Sequence, residues 1–138
     1  YIVSHTSYEI INRNSKILGK RTAVTFKNIN SLLRSCDIGL STVILKKSIL
    51  RKTDKFPSIK TKEDFVLWLR LLKRNNIIHG IDIKLTKWRK LENSLSSSVI
   101  QRIKDGYQVY NKYLKMNKLM SLYYLLLLSF NSVIKKIN

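Results

Sequence analysis

Acidic residues are scarce in this sequence: 8 Asp and Glu stand against 27 Lys and Arg in 138 residues, a formal net charge of +19. The one cysteine, Cys36, has no second cysteine to pair with, which excludes a disulfide-stapled scaffold and fits a reducing compartment. His5 and His79 stand apart from each other and from Cys36, so no zinc-ligand spacing arises. One proline and four glycines exclude collagen-like composition, and no repeat is present. Neither a Gly-rich phosphate loop nor a Gly-x-Ser-x-Gly elbow occurs. What is abundant is aliphatic: 44% of residues are hydrophobic, enough for a core and too many for a disordered basic tail. The length predicts one domain or part of one. The first residue is Tyr1 and no charged-then-apolar leader follows, so the chain is expected to be the tail of something longer.

The positive surplus attracts anions, whether nucleic acid, anionic lipid or a phosphorylated small substrate. Basic residues run from Arg13 to Lys136 without gathering into an aromatic-interleaved stripe, which argues against nucleic acid. Charge alone selects no partner.

Residues 2–12 read as a strand closed by the turn signal Asn12-Arg13-Asn14-Ser15. A short strand is expected over 21–26 and a helix over 28–34, capped by Asn28 or Asn30. The β-branched segment 39–46 is the strongest strand signal, and 48–55 can hold a helical turn before Phe56-Pro57 breaks regular structure. Residues 61–74 give the clearest helix. Phe65, Trp68, Leu69 and Leu72 form one apolar stripe, Thr61 is placed to cap it, and Glu63 and Asp64 sit in the first turn, where they complement the dipole. Two short strands follow over 77–83 and 84–89, then a Ser-rich loop over 93–98. Ile100, Ile103, Tyr107, Tyr110 and Leu114 mark a second long helix, with the tyrosines read as core packing.

Residues 119–134 are an apolar run flanked by Lys115, Lys118, Lys135 and Lys136. Sixteen helical residues would span ~24 Å, less than the ~30 Å of a bilayer's hydrocarbon. A helix lying in the membrane interface, with Tyr123 and Tyr124 near the head groups, fits better than a spanning one; the alternative is a helix packed on protein. The organisation expected is therefore 1–92 as one unit, 93–118 as loop and amphipathic helix, and 119–138 as an apolar tail helix.

Glu63-Asp64 is the only adjacent acidic pair. A carboxylate at a helix start facing a cleft can take a proton from an attacking hydroxyl. Read from spacing alone, Asp64 serves the dipole first and a general base second. The Trp88-Arg89 step before the polar loop suits a diphosphate, since a guanidinium bridges oxygens in pairs. By default such a pair is packing with a solvated charge.

Four segments in this order, SHTSYEIIN (4–12), CDIGLSTVILKK (36–47), FPSIKTKEDFVLWLRL (56–71) and WRKLENSLSS (88–97), make the chain resemble the C-terminal half of a family 2 glycosyltransferase of the bacterial surface-polysaccharide type. The resemblance covers about residues 1–118. It implies an α/β fold, the C-terminal part of a GT-A domain with a short mixed sheet and flanking helices, followed by long C-terminal helices. It implies an inverting transferase with Asp64 as the base that deprotonates the acceptor and Glu63 in the acceptor pocket. Gly39, Ser41 and Thr42 are expected to line the sugar and acceptor site, with Trp88 and Arg89 at the diphosphate. A nucleotide-sugar donor, a glycan or lipid-linked acceptor and the inner face of the cytoplasmic membrane are the implied partners; nucleic acid is not among them. Mn²⁺ or Mg²⁺ is implied for a full-length enzyme but not for this stretch, which has no Asp-x-Asp and carries Leu91 where many relatives have a metal-assisting His. Without a donor-binding half, the chain alone is expected to be inactive. The competing expectation is a basic, non-enzymatic module that docks on anionic membrane or nucleic acid.

Overall fold

In the computed structural model the described residues are 1–91, 94 and 98–137, with side chains through 134. Residues 93 and 95–97 of the expected Ser-rich loop lie outside them. Strand β1 (Val3–Ile11) is the spine of a mixed four-stranded sheet. On one side it pairs in parallel with β4 (His79–Arg89) along its length. On the other it pairs antiparallel with β3 (Val43–Leu45) over its first half and β2 (Ile17–Arg21) over its second. The β1–β2 turn forms where Asn12 predicts it: its Oδ1 accepts from the backbone of Asn14 and Lys16, and Ser15 takes a left-handed φ of 63°.

Three strand expectations need correction. The second strand is Ile17–Arg21 rather than 21–26; beyond Arg21, Phe26 makes an isolated bridge to Ile78. The 39–46 segment gives just the three residues of β3, because a 3₁₀ turn over Leu40–Thr42 precedes it, closed by Thr42 Oγ1 donating to the Gly39 carbonyl at 2.7 Å. The two short strands over 77–89 are one. β4 slips register twice against β1, as Ser7 faces Lys84 and Tyr8 faces Thr86, so it carries bulged residues that break the alternation. At the first bulge Asp82 accepts from the buried Ser7 hydroxyl at 2.6 Å.

Helix α1 (Ile29–Leu33) is capped by Asn28, whose side chain accepts from the Ser31 N–H. Helix α2 (Glu63–Lys73) begins later than expected, and its cap is Lys62 at φ 65°, with no side-chain capping bond. Thr61 instead gives both its N–H and its hydroxyl to Asp105, each at 2.9 Å. The apolar surface of α2 is wider than one stripe: Val66, Leu67 and Leu71 are buried along with Phe65, Trp68, Leu69 and Leu72. They share one core with Val3, Phe26 and Ile78 on the sheet side and Val109, Tyr110, Leu125 and Leu128 on the helical side. Asn75 at φ 59° ends α2, as its sequence signals.

Helix α3 (Val99–Gln108) runs on through a π-helical turn over Val109–Tyr113, and α4 (Lys118–Ile137) follows. Tyr110 is core, as expected, and donates to the Leu33 carbonyl at 2.7 Å. Ile100 and Ile103, from the same stripe, are exposed. No described helix is long and apolar enough to cross a membrane.

The β1–β4 pair tolerates little change at Gly80. A Cβ there would lie 2.5–2.7 Å from backbone atoms of Val24, a segment fixed by His5 Nε2 donating to the Val24 carbonyl. Backbone cannot rotate aside as a side chain can, so Gly80→Ala should destabilise by ~3 kcal/mol, the upper end of ordinary overpacking. Denaturant unfolding of the two chains measures this; a change below ~0.5 kcal/mol would contradict the packing described.

Candidate active site

A cleft of about 870 Å³ opens where the start of α2, the 39–42 turn, β1 and the end of β4 converge. It collects every residue singled out in the sequence: Asp64 and Glu63 from α2, Gly39, Ser41 and Thr42 from the turn, and Trp88 and Arg89 from β4. Each is delivered by a local device. The left-handed Lys62 turns the chain sharply into α2 and sets Glu63 and Asp64 at the cleft wall. The Thr42–Gly39 bond holds the 39–42 turn, and Gly39 leaves room for the Tyr8 ring, which would lie 3.2 Å from a Cβ there.

Asp64 is half-buried and makes no ion pair among the described residues. Burial pushes its carboxyl above the ordinary 3.8, opposed by the Phe65 N–H that it accepts at 2.8 Å and reinforced by the neighbouring Glu63 charge. A carboxylate in this condition is a stronger base than a solvated one, which proton abstraction requires. Asp64 thus also satisfies a first-turn N–H of α2, while Asp105 holds Thr61 just before the helix.

Arg89 lines the cleft while bound to the β1–β2 turn. One Nη donates to the carbonyls of Asn12 and Arg13 at 2.8 Å each, and both Nη atoms approach the Ser15 hydroxyl. The guanidinium therefore stitches the far end of the sheet to the β1–β2 turn. Trp88 is partly exposed beside it.

Sequence reasoning missed several cleft residues, Tyr8, Lys62 and Arg102 among them. Tyr8 comes from β1, Lys62 from the turn before α2, and Arg102 from α3. Arg102 lies 38 positions beyond Asp64 in the chain, among exposed apolar neighbours, and carries no local signal.

Divalent cations such as Mg²⁺ and Mn²⁺ take several hard oxygen ligands. The described residues hold no group of three or more His, Cys, Asp or Glu side chains that could bind a metal. Glu63 and Asp64 alone do not fit such an ion.

A half-buried carboxylate, basic side chains and polar turn atoms thus share one cleft. Comparison with known proteins finds glycosyltransferases as relatives of the chain. It is 39% identical, over 121 residues, to the Escherichia coli UDP-Glc:α-D-GlcNAc-diphosphoundecaprenol β-1,3-glucosyltransferase WfgD, covering 87% of this chain and 46% of that protein. It is 27% identical over 110 residues to TuaG of Bacillus subtilis, a glycosyltransferase assigned to teichuronic acid biosynthesis, covering 79% of the chain and 43% of the relative. An uncharacterised glycosyltransferase of Rickettsia felis is 32% identical over 92 residues, 64% of the chain and 15% of that protein. The chain thus spans less than half the length of these curated relatives. No family profile and no solved structure matches it.

Proposed function

We propose that the chain supplies the acceptor side and the catalytic base of an inverting, family 2 glycosyltransferase of the GT-A fold, which moves a sugar from a nucleotide donor to a glycan or lipid-linked acceptor in surface-polysaccharide synthesis. The observation that carries this is Asp64, its proton affinity raised by burial, sharing one cleft with Glu63, the 39–42 turn, Trp88 and Arg89. In a single displacement the acceptor hydroxyl oxygen bonds to the anomeric carbon as the bond from that carbon to the diphosphate oxygen breaks. The diphosphate leaves with the electron pair, and Asp64 takes the hydroxyl proton. Glu63 and the 39–42 turn hold the acceptor, while the charge of Arg89 opposes the negative charge that grows on the diphosphate. The names of the Escherichia coli and Bacillus subtilis relatives support the substrate classes.

The free edge of β4 supports a further half: among the described residues it pairs only with β1 and exposes Ile83 and Leu85, which suits the addition of more sheet. The 138-residue chain by itself therefore turns over no sugar nucleotide. The test is the anomeric configuration of the product when the full-length gene product is given sugar nucleotide and lipid-linked acceptor. Inversion is expected, and retention would overturn the mechanism.

The protein also rests on the inner face of the cytoplasmic membrane. Helix α4 buries Ser121, Leu125 and Leu128 against protein and turns Leu119, Leu122, Tyr123, Leu126 and Phe130 outward. An outward apolar face beside Lys115 and Lys118 suits an anionic interface. Leu126→Asp with Phe130→Asp should weaken binding to phosphatidylglycerol vesicles by at least ~10-fold, since each charge opposes insertion by a few kcal/mol. Unchanged sedimentation with vesicles would remove the membrane role.

A further inference from the structure

Beside the catalytic cleft lies a second cavity, of about 310 Å³, between α3 and α4. Val99, Ile103, Leu125, Leu128 and Val133 give it apolar walls. The two cavities share Cys36, Lys62 and Arg102. Arg102 has its Nε buried with no hydrogen-bond partner, an arrangement that an incoming anion would satisfy. Lys62 is held at the junction by its left-handed backbone, and its stem is packed over Gly106, where a Cβ would lie 3.6 Å from Lys62 Cε and 2.9 Å from Leu125. Arg21 adds a third cation to the second cavity, and the opposing carboxylate there is Asp37, which accepts from the Ser35 hydroxyl at 2.6 Å. The order along this path is a base in a polar cleft, a cationic junction, and a chamber with apolar walls from α3 and α4 and the hydroxyls of Ser129 and Ser132.

A sugar joined through a diphosphate to a lipid presents the same chemistries in the same order. We propose that the second cavity is the diphosphate and lipid subsite of the acceptor: Lys62 and Arg102 bind the acceptor's diphosphate at the junction, and the first carbons of its lipid lie between α3 and α4. This rests on the reading of the chain as the acceptor side of a glycosyltransferase. It goes further by separating two diphosphates, the donor's at Arg89 and the acceptor's at Arg102. It also gives the acceptor a direction, with the sugar toward Asp64 and the lipid toward the membrane face.

The test is calorimetric binding of undecyl diphosphate and methyl diphosphate to the chain, below micellar concentration and without donor. Undecyl diphosphate should bind at least ~100-fold tighter, because only a few buried methylenes account for such a ratio. Arg102→Gln should weaken undecyl diphosphate at least ~10-fold through loss of paired charge-assisted bonds. Ile103→Asn with Val133→Asn, both at surface-exposed positions, should shrink the preference for the long chain. Asp64→Asn should bind as the parent does. Equal binding of the two diphosphates, or an indifferent Arg102→Gln, would overturn the subsite. So would dioctanoyl phosphatidylglycerol binding with the same sensitivity to these variants, which would mark a general head-group site. If the full-length enzyme glycosylates a soluble sugar through Asp64 while binding ignores chain length, the subsite alone fails and the transferase reading stands.

Discussion

Replacing Asp64 with Asn should lower kcat for sugar transfer by ~10³-fold, within the range for loss of a positioned general base, while the protein folds as well as before. The substituted amide keeps an oxygen that can accept the Phe65 N–H, so the start of α2 loses no hydrogen bond. The sign of the stability effect follows from the raised carboxyl. Between the ordinary 3.8 and the higher folded value, the folded state holds the proton more often than the unfolded chain. Stability therefore falls as pH rises through that window and stays at the lower level above it. At neutral pH the neutral amide escapes this penalty, and the thermal midpoint should equal or exceed that of the parent. Donor binding should be unchanged. A variant that fails to fold would assign Asp64 to the helix start instead of the reaction.

Asp105→Ala should have the largest effect on the fold. Asp105 is buried and takes three hydrogen bonds, from the Thr61 N–H, the Thr61 hydroxyl and the Gln101 amide, each at 2.9 Å. Gln101 can turn to water, but Thr61 is buried and its N–H would be orphaned. The loss should amount to ~3 kcal/mol, from one charge-assisted pair plus an unmet buried donor, and lower Tm by on the order of 10 °C. Burial alone would raise the Asp105 carboxyl; the bonds from Gln101 and Thr61 outweigh it and hold the group below 3.8. The stabilisation is thus complete above that value and is lost as pH falls through the lower folded value. The gap between parent and variant should narrow in acid. Because Thr61 and Lys62 lead directly into Glu63 and Asp64, kcat should also fall on the order of 10²-fold at temperatures where the variant stays folded, through misplacement of the base. A gap independent of pH, or full activity in the folded variant, would contradict this role.

Much of this was legible because the signals are local. The Asn28 cap, the Asn12–Ser15 turn, the charged first turn of α2 and its stop at Asn75 each need only neighbouring residues. Two of the cleft residues also stood out locally, since Glu63-Asp64 is the sole adjacent acidic pair in a chain with only 8 acidic residues. What failed was set by distant contacts. The 39–46 segment is β-branched enough to be a strand, but the Thr42 hydroxyl closes a turn first. β4 reads as two strands because bulges break its period, one of them tied to Ser7 by a bond across 75 positions. Thr61 looks like a cap until Asp105, 44 positions on, claims its hydroxyl. Ile100 and Ile103 fit a core stripe by spacing yet are exposed, and Arg102 between them shows no pattern at all.

Whether Asp64 accepts the proton of the attacking hydroxyl is read from the pH dependence of kcat/KM for the full-length enzyme beside its Asp64→Asn variant. Parent activity should rise from acid along a limb whose midpoint lies above 3.8, and the residual activity of the variant should lack that limb. The same acid limb in both proteins would contradict this role.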